Sequence, residues 1–173
     1  MSEITVRPLG EEDWQQYRDT RLTALRESPE AFAATVDEEQ AFDEDFWRLR
    51  MTRSTRLLAE RDGSPLGIVS LGRSDERPQT SELFGLWVSP DARGSGVATE
   101  LVRAGANLAR QQGQTQLAYW VGSDNGRAVA FASGFGFRPT ADRRPMRVQG
   151  DDEDEVAMVL ALGGDRGSAP VEF

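Results

Sequence analysis

Apolar and polar residues alternate through Ile4-Thr5-Val6-Arg7-Pro8-Leu9, which predicts a first strand with Pro8 near its end. Glu11, Glu12 and Asp13 supply an acidic helix start, and Trp14, Tyr17, Leu22 and Leu25 then recur on one helical face to about Glu27. Ser28-Pro29-Glu30 breaks that helix. A second amphipathic helix is predicted from about Asp37 to Thr52, with Phe42, Phe46, Trp47 and Met51 inward. Arg56–Arg61 and Pro65–Leu71 read as strands on either side of Asp62-Gly63-Ser64, a hairpin signal. Ser74 to Ser81 is polar and is expected to be a loop.

The stretch from Glu82 to Thr99 is the most distinctive. Leu83-Phe84-Gly85-Leu86-Trp87-Val88 is apolar on both alternating faces, as in a buried strand. A Pro90-Asp91 turn, a glycine-rich loop and a helix follow, with Val97, Leu101, Ala104 and Leu108 on one stripe and Gly113 as the stop. Gln116–Val121 is a further strand. Asp124-Asn125 caps a helix that passes through Ala128 and Phe131 to about Ser133. Gly134–Pro139 turns into a strand, Asp151–Glu155 is expected to be an acidic surface loop, and Val156–Leu162 is the last strand. The resulting order, β-α-α-β-β-β-α-β-α-β-β, implies an α/β chain with a mixed sheet covered by helices.

Length changes this picture little. The 173 residues suit one domain, expected over residues 1–163, with a Gly-rich and polar tail over 164–173. No apolar run reaches membrane-spanning length, and Met1–Thr5 lacks a basic-then-apolar signal, so a cytoplasmic location is expected.

Composition removes chemistry more than it adds any. There is no cysteine and no histidine, and every one of the 20 basic residues is an arginine. Thiolate nucleophiles, Ser-His-Asp triads, Cys- or His-ligated metals and Schiff-base lysines are therefore excluded, and no metal is expected. A net charge of −9 argues against nucleic acid as partner, because phosphate neutralisation needs clustered cations. The same field weakly favours a cationic substrate such as an amine.

The glycine loop is built for phosphate or for packing. Backbone N–H groups at a helix start form an anion site. A Walker loop is excluded because no Lys-Ser/Thr follows the glycines, and a Rossmann fingerprint fails where Thr99 occupies its third small position. What remains is Arg93-x-x-Gly96-x-Ala98 between a strand and a helix. An ordinary strand-to-helix turn accounts for that pattern equally well when it stands alone. Gly85 adds weight to the binding reading, since glycine inside an apolar strand implies a bulge or a close backbone approach.

With Leu86-Trp87-Val88-x-Pro90-x-x-Arg93-Gly94-x-Gly96-Val97-Ala98, then Asn125-x-x-Ala128 and Gly136-Phe137, the chain resembles the GNAT superfamily, the Gcn5-related N-acetyltransferases, over roughly Thr5 to Leu162. The resemblance implies a mixed, mostly antiparallel sheet of about six to seven strands flanked by about four helices. It also implies transfer of an acetyl group from acetyl-coenzyme A to a primary amine of a small molecule or peptide. Arg93, Gly94, Ser95, Gly96, Val97 and Ala98 would then cradle the coenzyme pyrophosphate, with the Thr99 hydroxyl adding a contact. Trp87 and Val88 would pair with the pantetheine amides, and Asn125 would touch the pantetheine or its sulfur end. Family members often form homodimers.

Catalytic residues follow less directly. Glu82 is the candidate general base, because some family members carry a catalytic glutamate there and apolar neighbours can raise its pKa. A solvated strand-end glutamate is the equal alternative, with Asp43 or Glu44 then relaying the proton through water. The position that usually holds the catalytic tyrosine is Ala132 in this chain. Tyr119 is a weak candidate for general acid, more naturally a core aromatic, and Ser133 is a weak relay candidate. The rival function is a catalytically weak or inactive acyl-coenzyme A-binding sensor, with Ala132 marking lost catalysis. Arginine without lysine suggests a bacterial, GC-rich genome.

Overall fold

The computed structural model describes residues 3–145 and 154–163. Seven strands form one sheet in the order β1-β2-β3-β4-β5-β7-β6. They are β1 (Thr5–Leu9), β2 (Thr55–Arg61), β3 (Ser64–Arg73), β4 (Thr80–Val88), β5 (Gln116–Gly122), β6 (Arg138–Pro145) and β7 (Asp154–Ala161). Every neighbouring pair is antiparallel except β4 and β5, which run parallel. The five α-helices among the described residues are α1 (Trp14–Glu27), α2 (Val36–Gln40), α3 (Glu44–Arg53), α4 (Val97–Gln111) and α5 (Gly126–Phe135).

Strand alternation explains the two-sided core. Neighbouring residues of one strand point to opposite faces. Leu57 and Val69 therefore join Leu83, Leu101 and Phe137 in a layer under α4 and α5. Leu58 and Ile68 join Tyr17, Trp47 and Trp87 in a second layer under α1 and α3. The unbroken apolar runs of β2 and β3 are the sequence signature of this double burial. Asp62 and Gly63 both have positive φ, +53° and +80°, as the tight turn of the β2–β3 hairpin requires.

The helix expected over Asp37–Thr52 is two helices. Thr35 opens α2 with a capping box, its Oγ1 accepting from Glu38 N while the Glu38 carboxylate accepts from Thr35 N. Asp43 then caps α3 by accepting from Phe46 N at 3.0 Å. A cap in mid-stripe ends one helix and starts another, although Phe42, Phe46, Trp47 and Met51 keep a helical period. The expected loop before Glu82 is shortened because β4 starts at Thr80. Asp154 and Glu155 belong to β7, while the rest of the expected acidic loop and the 164–173 tail lie outside the described residues.

Candidate functional site

The parallel ladder between β4 and β5 pairs Thr80 with Gln116 through Leu83 with Tyr119, and it stops there. Beyond those residues β4 keeps β3 as its neighbour and β5 keeps β7. The edge of β4 from Phe84 to Val88 therefore faces a gap where β5 would otherwise continue. The register with β3 slips on β4 between Phe84, opposite Ser70, and Trp87, opposite Ile68. The extra residue is accommodated at Gly85, whose φ of +66° disfavours any side chain. The glycine in mid-strand is thus a bulge, as its position implies.

At the end of β4 the chain turns through a single 3-10 turn, Pro90–Ala92, into the glycine loop. Gly94 and Gly96 have φ of +83° and +92°. The loop's internal hydrogen bonds use the amides of Arg93, Ser95 and Glu100. The amides of Gly94, Gly96, Val97, Ala98 and Thr99 have no recorded turn or cap acceptor among the described residues, as expected of a helix start. The same residues line a groove of about 280 Å³ together with Val88, Ala92, Arg93 and Phe131. Donors at a helix start, with α4 behind them, favour an anion. Ser95 contributes differently from its neighbours, because both its amide and its hydroxyl bond to Ala92 O and shape the loop.

Two other expected contacts are partly engaged. Arg93 donates from Nε to Val88 O at 3.0 Å and from Nη2 to Ser28 Oγ at 3.3 Å. The arginine thereby ties the loop to the end of β4 and to the turn after α1. Asn125 caps α5, its Oδ1 accepting from Ala128 N at 3.0 Å, which leaves its side-chain NH₂ as the group free for a ligand. Trp87 is buried under α1, so its backbone rather than its indole faces the gap.

Glu82 and Trp120 share one face of the sheet, and the indole Nε1 donates to Glu82 Oε2 at 3.2 Å. Glu82 is half-buried, neither a solvated strand end nor a core residue. Asp43 and Glu44 do not join it: Asp43 caps α3 and Glu44 pairs with Arg48 at 2.8 Å. Tyr119 packs with Leu83 and Phe137 in the layer under α4 and α5, on the opposite face from Glu82. Burial, reinforced by Glu155, pushes its phenol above the ordinary tyrosine range, which makes it a poorer acid. Ser133 lies on the exposed side of α5, and Ala132 is fully buried in the core.

Sequence reasoning missed Phe131 as a lining residue and missed Glu39 altogether. Glu39 is 4% exposed and binds two guanidinium groups, from Arg21 and Arg50, each at 3.0 Å. One acidic residue within the run Asp37-Glu38-Glu39 carries no sequence sign of burial.

Residues 14–137 match the model of the Acetyltransferase (GNAT) family. An uncharacterized N-acetyltransferase of Methanocaldococcus jannaschii is 27% identical over 95 residues, covering 53% of this chain but only 42% of that protein. The chain thus spans less than half the length of that relative. Among solved structures, the yncA protein of Salmonella typhimurium, described with its cofactor acetyl-CoA, superposes with a TM-score of 0.72 at 22% identity, covering 96% of this chain and 97% of that one. A GNAT-family acetyltransferase from Streptococcus pneumoniae gives 0.74 at 18% identity, covering 93% and 100%. At such identities the two structures speak to the fold, which is the one seen here.

Proposed function

The chain belongs to the Acetyltransferase (GNAT) family, and from that premise we propose that it transfers an acetyl group from acetyl-coenzyme A to a primary amine of a small molecule. The observation that carries this reading is the opened β4–β5 seam, with the unbonded amides of the glycine loop at one end and Glu82 on the adjoining strand. An extended pantetheine matches a free strand edge, and a pyrophosphate matches a helix start. The same reading takes residues 1–163 as one catalytic domain working in the cytoplasm.

When bound, acetyl-coenzyme A supplies the activated acyl group. The amides of Gly94, Gly96, Val97, Ala98 and Thr99 hold its pyrophosphate, and the Thr99 hydroxyl adds a donor. The Phe84–Val88 edge and the NH₂ of Asn125 orient the pantetheine. A backbone N–H on the Phe84–Val88 edge would donate to the thioester carbonyl oxygen; such a donor is worth about 2.7–4 kcal/mol in comparable sites. Glu82 accepts the proton of the incoming ammonium, held in position by Trp120. The C–N bond then forms as the C–S bond breaks. The leaving thiolate, with an ordinary pKa of about 8.5, takes its proton from the amine or water, since Ala132 brings no phenol to the seam.

Calorimetric titration with acetyl-coenzyme A, together with free-thiol release across a panel of amines, tests the reading. The absence of cysteine means that a thiol reagent reports only the coenzyme product. Tight binding without turnover of any amine would replace the enzyme with an acyl-coenzyme A-binding module.

A further inference from the structure

Most ion pairs in this protein balance. Arg144 meets Glu155 at 2.7 Å, and Arg7 meets Glu60 at 2.9 Å. The cluster beneath α1 and α3 does not. Arg21 gives Nε and Nη2 to Glu39, and Arg50 gives Nη1 to the same carboxylate, each at 3.0 Å. Arg56, 5% exposed, has no carboxylate at all among the described residues. It bonds Ser70 Oγ at 2.7 Å and Arg50 O at 2.9 Å, and its buried Nε has no partner. Three guanidinium groups thus cluster with one carboxylate, which bonds only two of them, in a chain whose net charge is −9. Guanidinium does not discharge to escape burial, so the surplus is a standing cost to the fold unless an anion completes it. Burial and the neighbouring Arg50 and Arg21 already push Arg56 below the ordinary arginine range, while the nearby Tyr17 and Glu39 offset this only in part.

The surplus charge adjoins the seam. Arg21 Nη1, the one polar end of that side chain with no recorded hydrogen bond, lies 3.7 Å from where a Cβ would stand on Gly85. Arg56 lies over the Phe84 ring at 5.9 Å, and Phe84 is an exposed large apolar side chain, 41% accessible. Ser70 pairs with Phe84 and Gly72 with Glu82, so Arg56, Phe84 and Glu82 share one face of the sheet. That face presents a base, the rings of Phe84 and Trp120, the latter under Arg144, and guanidinium charge that one carboxylate and the rings of Phe32, Trp47 and Tyr17 balance only in part.

We propose that the guanidinium cluster, led by the unbonded Nη1 of Arg21, receives the carboxylate of the acceptor, which makes the acceptor an amino acid with an apolar side chain. The proposal rests on the acetyl-transfer reading above. Glu82 takes the proton of the amino group while the carboxylate supplies the charge that Glu39 leaves unbalanced.

Free-thiol release is measured with the common apolar L-amino acids, with their decarboxylated amines and with their carboxamides, alongside calorimetry with acetyl-coenzyme A. The amine is more basic than the amino acid and the amide less basic, so a preference over both cannot come from basicity. The expected kcat/KM for the amino acid exceeds both controls by at least about tenfold. Arg21→Gln is expected to raise KM for the amino acid and bring that ratio near one, with acetyl-coenzyme A binding measured in parallel by calorimetry as the readout of a folded coenzyme site. Arg21→Lys, which keeps the charge, is expected to restore part of the preference. Equal or better turnover of the amines that lack a carboxylate, or coenzyme binding without turnover of any amino acid, would overturn the inference. Failure to bind acetyl-coenzyme A would instead remove the acetyl-transfer reading, and the inference with it.

Discussion

Glu82 and Trp120 lie on neighbouring strands and are joined by an indole N–H donated to the carboxylate at 3.2 Å. The bond engages one carboxylate oxygen, Oε2. Glu82→Gln keeps the shape and the bond while removing the base. It is expected to lower kcat/KM by about 10²–10⁴ at neutral pH and by less at high pH, where the amine deprotonates unaided. A pH–rate profile checks this, and a loss independent of pH would reject Glu82 as the base.

Gly96 stands at φ +92°, and the space beside its Cα is open. Gly96→Glu puts a carboxylate among the amides that meet the pyrophosphate. The expected result is at least a hundredfold weaker acetyl-coenzyme A binding by calorimetry. Thermal stability should fall only by the backbone strain, about 1–2 kcal/mol. Unchanged affinity would make the loop a packing turn.

Glu39 gives the fold an acid-sensitive tie. Burial resists its ionisation, but hydrogen bonds and charge from Arg21 and Arg50 outweigh that and hold its carboxyl below the ordinary glutamate range. A depressed folded value contributes stability that is present above the unfolded pKa, about 4.3, and lost as pH falls through the folded one. Glu39→Gln is therefore expected to lower the denaturation midpoint at neutral pH. The variant should also have a flatter acid limb below about pH 4.5, followed by urea titration across pH. A variant with the acid limb of the parent would place the acid sensitivity elsewhere.

Ala132 is fully buried, in the layer that holds Phe137 and Met158. Ala132→Tyr restores the family's usual phenol in sequence but must force a ring into packed space. Overpacking of this kind costs about 1–3 kcal/mol. At about 2–4 °C per kcal/mol for a chain of this size, melting is expected to fall by about 2–12 °C, with no gain in turnover. A faster enzyme of unchanged stability would mean that the helix can turn the new ring into the seam.

Local chemistry was the legible part of this molecule. Asp62-Gly63 announces a hairpin, Gly85 a bulge, Gly113 a helix end and Asn125 a cap, because each demands a backbone geometry that few residues accept. Long-range balance was not legible. Nothing adjacent to Glu39 in sequence distinguishes it from Asp37 or Glu38, since its partners Arg21 and Arg50 arrive through packing of separate helices. Asp43 likewise reads as one acidic residue in a helical run until its side chain is seen to bond Phe46 N. The side of the sheet occupied by Tyr119 follows from register with Leu83, a property of pairing and not of either residue alone.

The parallel ladder joins only Thr80–Leu83 to Gln116–Tyr119. The sheet is in effect a book with a short spine, one leaf carrying β1 to β4 and the other β5 to β7. A molecule lying along the open edge would stitch the two leaves over the remainder of their length. Whatever fills the seam is then a structural member as well as a reactant, and mass action would make the protein tauter as its supply rises. The lifetime of this protein against proteases is expected to follow the abundance of that occupant, so that the chain lasts longest when it has work to do.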